Sequence, residues 1–143
     1  MALAVDRAAL AACLVQDFGQ VAGDFALDHV DETGLTLRLC VGERHLRPGG
    51  TVSGPAMFGL ADVAIYLAIL SRIGPVALAV TTNASIDFMR KPQAGVDLLA
   101  QTRLLKLGRS LAVGDALIFS AGSPEPVARA AMTYAIPPRA PVV

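Results

Sequence analysis

An excess of charge of either sign is missing from this chain: twelve Lys and Arg balance twelve Asp and Glu over 143 residues. With no global field, the chain has nothing to gather nucleic acid or an anionic membrane surface, and any anionic ligand must be held locally. Cysteine is scarce too. Cys13 and Cys40 stand far apart with no CxxC and no paired histidines nearby, so a zinc site is not expected. Both lie among apolar neighbours and read as small, reduced core residues of a cytoplasmic protein. No basic stretch precedes the apolar N-terminal segment, which instead carries Asp6 and Asp17, so it does not read as a signal peptide. Internal repeats and low-complexity segments are also lacking. The longest apolar run, residues 56–70, falls short of the roughly 20 residues a bilayer span needs. It also contains Asp62, which disfavours insertion by about 3 kcal/mol.

What is present is apolar: 54% of the residues are hydrophobic and only 17% are charged. That balance predicts one domain over residues 1–143, with a core spanning about 20–136 and part of its apolar surface hidden in a homo-oligomer. A first helix is expected over residues 7–18, with Asp6 as N-cap and Gly19 as the stop. Period-two alternation then predicts a hairpin, with strands at 25–29 and 35–39 around a turn at 31–34. A Gly- and Pro-rich loop, 42–54, leads into a helix from Pro55 to about residue 72, ending before Gly74-Pro75. Four strands follow, at 77–89, 97–107, 111–120 and 127–136, with turn residues between them, and 137–143 reads as a loose tail. In the first of these strands Val80, Thr82, Ala84, Ile86 and Phe88 should face the helix, with Thr81, Asn83, Ser85 and Asp87 on the other side. The order of elements is α+β, and its economical packing is one antiparallel sheet of five or six strands wrapped around the long helix.

Asp62 is the only charge in residues 56–70, near the middle of a helix that reads as enclosed on all sides. A buried carboxylate without a partner is costly, so it either has a structural partner such as Thr81, Thr82 or Asn83 or has chemical work to do. Eight residues earlier, the N–H of Gly54 lies at the helix start, where unpaired amides attract an anion or a polarised carbonyl. An oxyanion donor and a carboxylate along one helix suit acyl transfer.

The segment RPGGTVSGPAMFGLADVA resembles the signature of the PaaI-type hotdog-fold acyl-CoA thioesterases. Gly50-Thr51, Gly54 and Asp62 match it at the family's spacing. Strand 81–89 with Arg90-Lys91-Pro92 and the turn Gly108-Arg109-Ser110 are similar to later parts of the family pattern, and the likeness covers about residues 35–136. The resemblance implies hydrolysis of an acyl-CoA to free acid and coenzyme A. It makes Asp62 general base or nucleophile and Gly54 N–H the oxyanion donor, and Thr81 the hydroxyl residue supplied by a second subunit. It also implies a dimer, or a dimer of dimers, with sites between subunits, and no cofactor beyond the coenzyme A of the substrate. Thr82 and Asn83 are alternatives to Thr81, and Arg90 and Lys91 would lie near the coenzyme A phosphates. Arg47, Ser53 and Pro55 replace the family's Asn, His and second Gly. Arg47 is a candidate for phosphate or for Asp62, and Ser53 for hydrogen bonding rather than nucleophilic attack, since Thr51 stands where a nucleophile elbow needs glycine. His45 is a remote candidate contact in the same loop. The alternative reading is a non-hydrolytic acyl-CoA binding module. Hydratase chemistry would expect a histidine beyond His45, and there is none.

Overall fold

The computed structural model describes residues 2–75 and 79–138. Its elements run α1 (Arg7–Asp17), β1 (Phe25–Val30), β2 (Leu35–Leu39), α2 (Gly54–Ile73), β3 (Val80–Phe88), β4 (Leu98–Leu107), β5 (Leu111–Ser120) and β6 (Pro126–Ala135). The six strands form one sheet in the order β1-β2-β4-β5-β6-β3, antiparallel throughout. The sheet wraps α2, and β3, which follows the helix in sequence, crosses to the far edge beside β6. The expected strand start at residue 77 and the end of the tail lie outside the described residues.

The sheet curls closely around α2 because its inward side is built from small residues. Ala100, Ala112, Ala116, Ala128 and Ala130 are fully buried and leave room for Leu60, Ile65, Leu67 and Ile69. At Gly114 the approach is closest: a Cβ there would lie 3.0 Å from Ile65 Cγ2 and 3.2 Å from the Arg103 carbonyl. α1 begins at the expected cap, with Asp6 Oδ1 accepting from Ala9 N–H at 2.8 Å. It lies against α2 through the Tyr66 hydroxyl, which donates to Asp17 Oδ2 at 2.6 Å, and an edge-to-face contact of Phe18 with Tyr66 at 5.1 Å between ring centroids.

Three expectations need correction. Cys40 is exposed, because it follows the last residue of β2 and has left the core; only Cys13 is buried. α2, at 20 residues, is long and apolar enough to cross a membrane by length and composition, and it is the burial of most of it within the fold that marks it as a core helix. Nor is α2 enclosed on every side. Pro55 and Phe58 are exposed and Gly59 and Asp62 half-buried, an i, i+3, i+4, i+7 stripe left open along one face.

The inward and outward faces of β3 also differ from simple alternation. From Asn83 onward the pattern holds: Ala84, Ile86 and Phe88 pair with the inward Met132, Ala130 and Ala128 of β6. Between Thr81 and Asn83 the register shifts, so Thr82 is an extra residue and Thr81 pairs with the buried Tyr134. One inserted residue exchanges the faces beyond it. Thr81 therefore points at the helix and Val80 outward, the reverse of the expectation for both.

Candidate active site

Two clusters form along α2. The first surrounds its N-terminus. The turn from Arg47 to Gly50 closes with Gly50 N–H donating to the Arg47 carbonyl at 3.0 Å, and Gly49 and Gly50 supply the positive φ values it requires, 103° and 85°. Leu46 and Val52 then bridge, and Ser53 N–H donates to the His45 carbonyl at 2.8 Å, tying the start of the helix to that loop. Ser53 is the N-cap, its Oγ accepting from Ala56 N–H at 3.3 Å, so its hydroxyl is engaged in the fold. Met57 N–H reaches the Ser53 carbonyl, and among the described residues Gly54 N–H has no acceptor. It is the free first-turn donor of α2.

Gly54 opens on a cavity of about 530 Å³ whose wall includes Arg47, Thr51, Met57, Phe88, Arg90 and Lys91. Phe88 reaches in from β3, close enough that a Cβ on residue 54 would lie 3.2 Å from its Cζ. Glycine here keeps both the aromatic approach and the access of a ligand to the amide. Arg90 is held in place by Glu125 Oε2 at 3.1 Å and by donation to the Pro126 carbonyl at 2.8 Å. Three cationic side chains thus line one cavity in a chain with no net charge. Arg47 lines this cavity, and within the one chain no hydrogen bond joins it to Asp62.

The second cluster surrounds Asp62. The Thr81 hydroxyl donates to Asp62 Oδ1 at 2.7 Å, and the Tyr134 hydroxyl hydrogen-bonds the same oxygen. Thr81 is thus a partner of Asp62 within one chain, where the resemblance assigned it to a second subunit. Thr82 hydrogen-bonds the Thr133 carbonyl at 3.3 Å, and no hydrogen bond to Asp62 comes from either Thr82 or Asn83. The bulge explains the choice, since it turns Thr81 inward and leaves Asn83 outward. Asp62 Oδ2 has no partner among the described residues. Tyr134 is the functional candidate that the sequence did not disclose. In the alternating β6 segment it reads as one more core residue, and only the registration of β6 against β3 brings it to Asp62. His45 joins neither cluster. It is buried against Asp24 under the loop.

About eight residues of rise, roughly 12 Å, separate Gly54 from Asp62 along the helix axis. A carboxylate, its water and a carbonyl bound to an amide need successive contacts of about 3 Å. Asp62 is absent from the lining of the cavity on which Gly54 opens. Among the described residues no His, Cys, Asp and Glu group is arranged to hold a metal ion.

A sheet of this order curled around one long helix is the hotdog fold, and the comparisons with known proteins agree. A crystal structure from a Silicibacter species, provisionally designated a thioesterase, is 60% identical, covers 96% of each chain and superposes with a TM-score of 0.90. A mutant of the phenylacetic acid degradation protein PaaI from Thermus thermophilus shares the fold at 24% identity, covering 82% of this chain and 97% of that one, with a TM-score of 0.69. A Pseudomonas aeruginosa protein provisionally designated an esterase is 33% identical over 86 residues, a match that spans 60% of this chain and 64% of that relative. The Thioesterase superfamily model matches residues 49–127, which contain both clusters except Tyr134 and Arg47. The chain belongs to the Thioesterase superfamily, and its domain has the hotdog fold.

Proposed function

We propose that this protein hydrolyses an acyl-CoA thioester to the free acid and coenzyme A. The observation that carries the reading is the cavity joining the unpaired Gly54 N–H to Arg47, Arg90 and Lys91. An amide at a helix start polarises a carbonyl and stabilises the oxyanion formed from it. Cations lining the same cavity suit the phosphates of a coenzyme A whose thioester reaches that amide. Asp62 acts as general base: a water on the open Oδ2 gives up a proton as its oxygen adds to the carbonyl, and the tetrahedral intermediate rests its charge on Gly54 N–H. Collapse breaks the carbon–sulfur bond, and the thiolate leaves and takes a proton. Nothing beyond water and the substrate is consumed.

Asp62 and Thr81 do not line the Gly54 cavity, which supports composite sites with Gly54 and the cationic cavity from one subunit and Asp62 with Thr81 from another. The open stripe of α2 and the unpaired edge of β3 are the surfaces such a homodimer would cover, and a dimer of dimers is compatible with them. This division differs from the one the resemblance suggested, because Thr81 travels with Asp62.

Thiol release from short, medium and aromatic acyl-CoA substrates tests the reading. Asp62→Asn is expected to lower kcat by about 10²- to 10⁴-fold, the range for loss of a general base. Equal release by both proteins would refute the assignment. Mixing Asp62→Asn with Gly54→Pro, which removes the N–H and crowds Phe88 within the same half-site, should restore one intact site per heterodimer. A non-hydrolytic acyl-CoA module is the second reading, favoured by the engagement of Ser53 as a cap where the family carries His. Calorimetric binding of acyl-CoA without turnover by the wild type would establish it.

A further inference from the structure

Asp62 is gripped on one oxygen only, and the two groups that grip it differ. Thr81 is an exposed residue on an edge strand, with a hydroxyl free to rotate. Tyr134 is 1% exposed, and its ring is fixed in the core beneath α2. Its hydroxyl lies within hydrogen-bond reach of two acceptors on the same residue, Oδ1 of the Asp62 carboxylate and the Asp62 backbone carbonyl at 2.7 Å, with Met132 Sδ a remote third at 3.9 Å. A phenol has one proton to give. It can serve the carboxylate or the carbonyl, and a rotation about the C–O bond exchanges the two.

We infer that Tyr134 is a positioning residue for Asp62: its hydroxyl holds Oδ1, directs Oδ2 to the reacting water, and turns to the Asp62 carbonyl when the carboxylate takes up the proton. The inference rests on the assignment of Asp62 as general base. A base must be held in one orientation before the proton moves and must lose no buried hydrogen bond after it has moved. With Oδ1 occupied by two donors, the lone pairs of Oδ2 are the ones left to meet water. Once Asp62 carries a proton its demand for donors falls, and the second acceptor, four residues from its own helical donor and still possessing a lone pair, satisfies the phenol. Burial first, and the Asp62 hydrogen bond second, push the phenol up from its ordinary value of 10.0, so Tyr134 remains a donor throughout the neutral range. The hydroxyl is costly to leave unpaired in the core, and with either Asp62 oxygen as its acceptor it stays paired.

The test is Tyr134→Phe beside Asp62→Asn, with thiol release from hexanoyl-CoA and benzoyl-CoA and thermal unfolding measured on the same preparations. The Phe variant removes one hydroxyl. It is expected to lower kcat by about 10- to 100-fold, the cost of a misplaced catalytic group, while KM stays within about twofold and the fold is retained. A purely structural tyrosine would lower the unfolding midpoint and leave kcat per folded subunit unchanged, and that result overturns the inference. Tyr134→Met, of similar length and without an O–H, is read the same way should the Phe variant not fold. An active Asp62→Asn would remove the catalytic assignment of Asp62 itself. A dead Asp62→Asn beside a fully active Tyr134→Phe removes the role of Tyr134 alone.

Discussion

His45 uses one ring nitrogen, Nδ1, for a hydrogen bond inside the fold. Gly42 N–H donates to Nδ1 at 2.8 Å, so that nitrogen is unprotonated and Nε2 carries the hydrogen, facing Asp24 Oδ2 at 3.3 Å without the alignment of a hydrogen bond. Burial first and Arg44 second hold the imidazole below its ordinary value of 6.5. The sign follows: the unfolded chain takes a proton near 6.5 that the folded chain refuses, so stability is full above that value and falls as the pH drops below it. Urea midpoints measured at neutral pH and again about one to two units lower should decline for the wild type. They should decline less for His45→Gln. At this scale the sequence disclosed Asp62 and Gly54, whose types are anomalous where they stand: an acid in an apolar run, a glycine before a proline. Tyr134 and His45 are ordinary residues in ordinary patterns. Their importance comes from what another part of the chain brings to them.

The elements were legible because each has its own punctuation: Asp6 before α1, Ser53 and Pro55 at the start of α2, Gly74 at its end, glycines in the hairpin turns. The bulge at Thr82 has no such mark. Thr-Thr-Asn is polar at every position, so hydrophobic alternation gives no signal there, and a slip of one residue is invisible until the strand is paired. Yet that slip decides which hydroxyl meets Asp62. The small residues facing α2 are the element-scale feature with the clearest energetic consequence. Gly114→Val places a Cβ within 3.0 Å of Ile65 Cγ2, and further atoms beyond it, between a fully buried helix residue and the strand. Overpacking of this kind costs about 1–3 kcal/mol. A lower midpoint in urea with an unchanged slope is the expected result.

Taken as a whole, the molecule presents two unfinished surfaces. β3 is paired on one side only, and nearly all of its residues remain exposed, including Val80 at 55% and Phe88 at 53%. Beside it runs the open stripe of α2 with Phe58 and Asp62. The high apolar content foretold surplus surface of this sort, although composition had no means of saying which strand or which helix face would carry it. If the subunits meet along β3, Val80→Lys should shift the sedimenting species from dimer toward monomer and lower thiol release in proportion, since a lysine on an exposed strand edge opposes pairing. An unchanged mass would dissociate this edge from assembly.

Natural proteins usually guard an open strand edge with lysine, proline or a very short strand. β3 runs nine residues, VTTNASIDF, with Asp87 as its only charge and no proline. While that edge is uncovered a newly made chain exposes an adhesive margin, and under the proposed homodimer its folding becomes a race between two second-order encounters, one with the correct neighbour and one with any other extended segment. For such a chain, the rate of synthesis and the local abundance of its own kind enter its solubility as directly as its sequence does.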